Sequence, residues 1–399
     1  MTTIPDATIA AAMLLGQITL KNILSFKATE LELRTLNVLI GPNASGKTNF
    51  IDAVSLLHAA QGDLQKTISD GGGVREWIWK GADSDSAAVL ECRLALKSAP
   101  SLIYRMEFSA EGPAFFIRRE RLEEAPTGSK AKSPRVHFDR NEWQAAIQGT
   151  LPPGSNAGIA GVQPGYSFFT GYRNPKDPTP ITRVGQEFQK IVIFREFRTG
   201  PHEPVRTGVS TAARKDFLED GGDNLAVVLQ EIDFSGHKAR IDEFLRRLSE
   251  QIKSVRVRLE GTVARVWVQE EHLRDPTPAV RLSDGTLKFL CLLAILLHPE
   301  PPSLICIEEP ELGLHPDALK LVAEALVESS DHTQLIVTTH SEALIAALSD
   351  RPEAVVVCER NPDGSSRFQR LRKKQLDVWL KRYTLGELWR KGEIGGNRW

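Results

Sequence analysis

Five apolar residues, Leu36 to Ile40, run straight into Gly41-Pro42-Asn43-Ala44-Ser45-Gly46-Lys47-Thr48, and a helical pattern follows to about Ala59. A Gly-x-x-x-x-Gly-Lys-Thr loop between a strand and a helix leaves few folds open. Its backbone N–H groups must turn inward around phosphate oxygens, while the following helix points its positive end at the same charge. Gly41, Asn43, Ala44, Ser45, Gly46, Lys47, Thr48 and Asn49 are therefore the residues expected to hold ATP. Lys47 would reach the β- and γ-phosphates and Thr48 would hold Mg²⁺.

The last third of the chain repeats the strand-then-helix alternation. Strands are expected at Leu304–Ile307, Leu335–Thr338 and Ala354–Cys358, with helices from Ser283, over Pro316–Val327 and over Ser341–Leu348. Ala318, Val322, Ala325 and Leu326 keep helical spacing on one face. Short apolar strands alternating with amphipathic helices predict a mostly parallel sheet covered on both faces. The first of these strands ends in Glu308-Glu309-Pro310. Two carboxylates at the end of a buried strand are costly unless a cation or hydrogen-bond donors meet them. Glu308 is the expected Mg²⁺ ligand and Glu309 the general base for an attacking water. Leu282-Ser283-Asp284-Gly285-Thr286-Leu287 opens an apolar helix, so Ser283 and Gly285 form an anion site by geometry, with an ordinary N-cap as the plain alternative. His340, after the strand Leu335–Thr338, is a candidate sensor of the γ-phosphate.

Composition excludes several classes. Lys plus Arg (50) balances Asp plus Glu (51), so any nucleic-acid contact must come from a local patch. Two patches qualify, Arg118-Arg119-Glu120-Arg121 and Arg372-Lys373-Lys374, and such runs are usually solvated faces. The longest apolar run, Phe289 to Leu297, is too short to span a bilayer. The apolar stretch at 8–15 has no Lys or Arg before it and follows Asp6, so it is not read as a secretion signal. Cys92, Cys291, Cys306 and Cys358 lie far apart and read as buried small hydrophobes in a reducing cytoplasm.

Organisation along the chain suggests a first lobe over 1–110, an inserted, loop-rich subdomain over 111–215 that is either a lid on the nucleotide site or a mere spacer, a second lobe over 216–370 and a tail over 371–399. The insert is marked by Pro152-Pro153-Gly154, Pro164-Gly165, Asn174-Pro175 and Asp177-Pro178, and no heptad repeat runs through it, which excludes a coiled-coil arm. The tail carries a capping box at Thr384-Leu385-Gly386-Glu387, and Trp389 and Trp399 as a docking point or as groups packed back on the parent domain.

Taken in order, Lys21–Phe26, Gly41–Thr48, Leu218–Ala226, Leu282–Leu287, Ile307–Pro316 and Thr338–Ser341 resemble the ABC-type ATPase heads of the SMC/RecF group, and within it the stand-alone and OLD-like ATPases of bacteria. The resemblance covers roughly 1–110 and 215–360. It implies an α/β P-loop fold of ABC/SMC-head type, two-lobed, with ATP and Mg²⁺ as cofactors. It also implies a head-to-tail homodimer in which Ser283 and Gly285 of one copy cover the γ-phosphate on the other, with higher assemblies and DNA binding left open. Several positions depart from the pattern: Asp284-Gly285-Thr286 within the signature, Glu308 for the more usual Asp, His315 for an Asp, and Leu24 for an Arg. The glutamine loop has no assigned position, with Gln61 and Gln65 as candidates. OLD-like nucleases add a cleavage domain with an Asp-x-Asp. After His340 none occurs, and Asp83-Ser84-Asp85 reads as an exposed turn, so the expectation is a chain that does not cut DNA itself. The resemblance thus implies an ATPase subunit controlling a separately encoded effector in anti-phage or mobile-element defence. The alternatives are a RecF-like DNA clamp and, disfavoured by the 236-position separation of Lys47 and Ser283, a transporter ATPase.

Overall fold

The computed structural model describes residues 14–83, 86–96, 100–126, 134–142, 144–147, 158–160, 163–172 and 179–395. Residues up to 13 of the apolar stretch, Ser84 and Asp85, Pro152-Pro153-Gly154, Asn174-Pro175, Asp177-Pro178 and Trp399 lie outside these. The chain divides into two compact units. Unit 1 is Met1–Asn37, Gly41–Val192 and Val356–Gln369, and unit 2 is Val38–Ile40, Ile193–Val355 and Arg370–Trp399.

Unit 1 is built on β1 (Leu15–Ile23), β2 (Phe26–Glu32), the start of β3 (Leu36–Ile40), β4 (Ala88–Leu94), β5 (Leu102–Glu111), β6 (Ala114–Glu124), β7 (Val136–Asn141), β8 (Gln144–Ile147) and β9 (Gly158–Ala160). Eight of these make one sheet in the order β2-β1-β4-β5-β6-β7-β8-β9. Alternation dictates it: Leu102, Tyr104, Met106 and Phe108 are buried along one face of β5. The helix Lys47–Ala59 supplies Phe50, Ile51, Val54 and Leu57 to the core.

The expected boundary at residue 110 falls inside β5, which pairs with β6 from Leu102↔Glu124 to Glu111↔Ala114. Much of the segment expected to be loop-rich therefore extends a sheet. The run Arg118–Arg121 hides the strand because one of its charges faces the core. Glu120 is fully buried, accepting from Tyr104 Oη (2.8 Å), Ser167 Oγ (2.6 Å) and Phe168 N (2.7 Å), with the buried Arg140 guanidinium 3.7 Å away. A buried carboxylate with four donors around it is tolerated where an unpaired one would not be.

Unit 2 continues through β10 (Ile191–Phe194), β11 (Val209–Ser210), β12 (Ile252–Glu260), β13 (Val263–Glu270), β14 (Thr277–Pro278), β15 (Leu304–Glu308) and β16 (Gln334–Thr339). β15 and β16 pair in parallel, Leu304↔Gln334 through Glu308↔Thr338. Every residue of β16 is buried, as a strand covered on both faces requires. The helices Asp284–Leu296 and Pro316–Ser329 fall where the periodicity places them. β17 (Val355–Arg360) and β18 (Ser366–Arg370) complete the strands, and most of both belongs to unit 1. All four cysteines are buried and free, and burial pushes each thiol above its usual range. Among the described residues, no helix is long and apolar enough to cross a membrane.

Candidate nucleotide site

In unit 1 the loop after β3 has a shape only its own sequence allows. Ala44 (φ 59°) and Gly46 (φ 104°) are left-handed. A Cβ at Gly46 would lie 2.3 Å from Ser366 Oγ, and one at Gly41 would lie 2.4 Å from the Cys358 carbonyl. Both glycines are thus fixed by space, and Gly46 by conformation as well. Ser25 and Ser366 bond to each other at 2.8 Å against Gly46, which joins Lys21–Phe26 to the loop. Asn43 and Ala44 are exposed at the tip; Thr48 is exposed and Asn49 half-buried on the first turn of the helix.

The Lys47 ammonium is 5% exposed and donates to Gly41 O (2.8 Å) and Pro42 O (3.1 Å). Ser45 Oγ is buried with no hydrogen-bond partner among the described residues. A buried lysine beside an orphaned hydroxyl, in a loop with left-handed Ala44 and Gly46, fits a phosphate chain, which would supply the acceptor that Ser45 Oγ lacks.

In unit 2 the end of β15 carries the two acids. Glu309 adopts φ 44°, and its N–H donates to Thr338 O (3.0 Å) and Thr338 Oγ1 (3.2 Å). Left-handed backbone at a β-carbon residue is strained and persists where neighbours over-determine it. Here the strain turns the Glu309 carboxylate to within 3.4 Å of His340 Nε2, both side chains about one-third exposed. Sequence reasoning missed the groups that hold them. Glu311 Oε1 accepts from Thr339 Oγ1 and from His340 N, each at 2.7 Å, and so fixes the backbone under the histidine. Arg195, just past β10, donates to Glu308 Oε1. No local pattern announces either contact, since the partners lie 29 and 113 positions apart.

The turn Leu282–Leu287 lies in the same unit. Ser283 caps the helix, its Oγ accepting from Thr286 N at 3.1 Å, so the plain N-cap reading holds for this hydroxyl. The turn is clamped by Arg206, 9% exposed, which donates to Thr199 O (2.7 Å), Ala279 O (3.0 Å), Leu282 O (2.7 Å) and Asp284 Oδ1 (2.6 Å). Hydrogen bonding to Arg206 holds the Asp284 carboxyl below the usual carboxylate range. A cavity of about 360 Å³ opens beside Ser283, Gly285 and Thr286, with His315 and Asp317 across it. His315 is itself an N-cap, its Nδ1 accepting from Asp317 N.

The Gln61 and Gln65 side-chain amides lie against Gly185 and Gly165. Leu218–Ala226 is a turn held by the buried Asn224, which donates to Arg214 O (2.7 Å) and Phe217 O (2.9 Å) and accepts from Glu219 N (2.9 Å). The basic run at 118–121 is neutralised: Arg118 pairs with Glu111, Arg119 with Asp139 and Arg121 with Glu123.

A family profile described as "AAA domain, putative AbiEii toxin, Type IV TA system" matches residues 36–346. The chain belongs to this AAA family. It is also 25% identical over 364 residues to the Old nuclease of Escherichia phage P2, covering 86% of this chain and 59% of that relative's length. Its fold is that of SMC heads. A solved SmcHead bound to the C-winged helix domain of ScpA aligns at a TM-score of 0.55 and 15% identity, covering 91% of this chain and 99% of that one. The Thermotoga maritima SMC head aligns at 0.50 and 16%, covering 90% and 100%. The Smc head with an extended coiled coil, solved with the C-terminal domain of ScpA derived from Pyrococcus furiosus, aligns at 0.54 and 14%, covering 92% and 98%. This AAA protein is thus an ATPase of SMC-head type related to OLD proteins, and nucleotide use follows from the family.

Proposed function

We propose that this AAA ATPase hydrolyses ATP with Mg²⁺ as a head-to-tail homodimer in the cytoplasm and regulates a separately encoded effector, a nuclease in the simplest case, in anti-phage or mobile-element defence. The observation that carries the hydrolytic part is Glu309, held in strained backbone with its carboxylate against His340. A carboxylate so placed accepts the proton of an attacking water, and His340 keeps it oriented. Bound Mg²⁺ would neutralise charge on the phosphate oxygens. Thr48 and Glu308 are its protein ligands in this reading, few because Mg²⁺ keeps phosphate and water oxygens around it. Lys47 leaves its loop carbonyls to meet the phosphates. Glu308, now on Arg195, must exchange that guanidinium for the metal. Ser283 and Gly285 serve the partner copy's nucleotide, and the clamped turn supports this because it keeps the helix N-terminus fixed.

The effector and the defence role rest on the relationship to OLD proteins. Nuclease chemistry is the name of that relative, whose length this chain covers by 59%. The reading as a DNA-repair clamp is weakened by the ion pairs over Arg118, Arg119 and Arg121. Glu309→Gln should keep ATP affinity and lose about 10²–10⁴ in turnover, leaving a closed dimer visible by size-exclusion chromatography with ATP. Wild-type turnover in this variant would falsify the assignment. The same variant purified from its native host with ATP and Mg²⁺ tests the partner. A stoichiometric nuclease or toxin supports a defence pair, whereas protected DNA without a protein partner supports the clamp.

A further inference from the structure

Residues 372–382 of unit 2 have no part in the nucleotide chemistry. Leu371 and Leu376 are buried and pin the segment, while Arg372, Lys373, Lys374, Lys381 and Arg382 are exposed. Between them Val378 is 77% exposed and Trp379 45%. Within the segment only Asp377 opposes five cations, in a chain of net charge −1. No ion pair engages those five side chains among the described residues, in contrast to the matched arginines at 118–121. A lone exposed apolar residue is ordinary. Two adjacent ones flanked in sequence by unmatched cations gain from burial and select an anionic cover.

The segment is also preorganised. Leu380 N donates to Leu376 O at 2.8 Å, and Arg382 N and Tyr383 N donate to Trp379 O at 3.0 and 2.9 Å. The Trp379 and Tyr383 rings lie 6.3 Å apart, and the Lys391 ammonium sits 3.7 Å over Tyr383. Thr384 and Glu387 cap the next helix, Leu385–Arg390, reciprocally. That helix packs on Glu342–Ala347 so closely that a Cβ at Gly386 would lie 2.4 Å from Glu342 O, and Leu385 N donates to Ser349 Oγ at 2.9 Å. Trp389 is buried in this contact, so it packs back on its own unit. Glu342–Ala347 begins two residues after His340. Two packed helices therefore lead from His340 to Trp379.

We infer that residues 372–382 are a docking surface for an acidic segment of a partner protein anchored by apolar side chains, coupled to His340 through the helices Glu342–Ala347 and Leu385–Arg390. The coupling rests on reading His340 as a sensor of the γ-phosphate beside Glu309; the chemistry of the surface rests on charge and exposure alone. Nucleic acid would gain one stacking face, Trp379, and would leave Val378 uncovered, and the helix Lys373–Leu376 is too short to lay an apolar stripe on a bilayer.

The test is fluorescence anisotropy on the full chain with a labelled peptide of Glu residues interspersed with Leu and Phe. Binding is expected, and Val378→Ala with Trp379→Ala, or Lys381→Glu with Arg382→Glu, should each weaken it about tenfold while ATP turnover without peptide is unchanged. Labelled single-stranded DNA and phosphatidylserine vesicles are competing probes. The proposal is overturned if either binds these side chains more tightly than the peptide, if the peptide does not bind, or if both double variants bind it as wild type does. Peptide affinity is then compared between Lys47→Ala and Glu309→Gln, both with ATP. A difference supports the coupling and equal affinities overturn it. Loss of the ATPase reading would show instead as a wild-type chain without ATP turnover, leaving the peptide result standing.

Discussion

In unit 1 the loop at 41–48 is shaped by its own residues: left-handed Ala44 and Gly46, and a lysine folded onto carbonyls five and six positions away. In unit 2 the turn at 282–286 and the acids at 308 and 309 are held from afar, by Arg206, 76 positions before Leu282, and by Arg195 and Glu311. The first device takes its conformation from its own eight residues, with Ser25, Cys358 and Ser366 packed against its two glycines. The second depends on the whole unit folding around one buried guanidinium and a few carboxylates, which gives it a means of being adjusted that the loop lacks. A binding element can be local because phosphate is recognised by backbone N–H groups. The proposed catalytic element draws instead on side chains from distant parts of its unit.

The largest effect should come from the local device. Gly46→Ala, which forces a Cβ to within 2.3 Å of Ser366 Oγ at φ 104°, or Lys47→Ala should weaken ATP binding by more than about a hundredfold in calorimetry. Retained affinity in both would mean that the loop is not the binding element. Arg206→Ala should break the remote device while sparing the local one. Leu282 O and Ala279 O lose a buried donor, so unfolding by urea should show a loss of about 2 kcal/mol. Turnover should fall about tenfold while ATP affinity holds, and Arg206→Lys should recover part of the turnover. A fall in affinity equal to the fall in turnover would erase the distinction between the regions.

A smaller effect concerns pH. Asp284 is held below the ordinary carboxylate value by Arg206, so its folded form binds a proton less readily than its unfolded form. Its contribution to stability is present above about pH 4 and is lost as pH falls through the lowered value. Urea midpoints followed downward in pH should therefore converge between wild type and Asp284→Asn. The smallest effect is expected at Arg119→Ala: its side chain is already paired with Asp139 at 2.7 Å, so any DNA affinity and its salt dependence should stay as in wild type. A reduced salt slope would reopen the basic run as a phosphate contact.

The sheet at 102–147 shows where pattern reading stops. Glu120 and Arg140 face inward, so a strand reads as a charged surface run until Tyr104, Ser167 and Phe168 are seen around the carboxylate. Glu309 and His340 were legible because strand ends and helix starts are local signals, but the pairing of their side chains was not. Arg195, Arg206 and Glu311 were illegible for the same reason, since nothing near them in the chain marks them out from other charged residues.

Sequence alone determined the phosphate loop, the alternation of strands and helices and the order of the nucleotide motifs, because backbone conformation and burial periodicity act over a few residues at a time. Tertiary structure decided which buried charges are satisfied, which arginine fixes the signature turn, which basic run is neutralised and which is left bare. Those outcomes depend on side chains brought together across tens to hundreds of positions, where electrostatic energy follows distance in space.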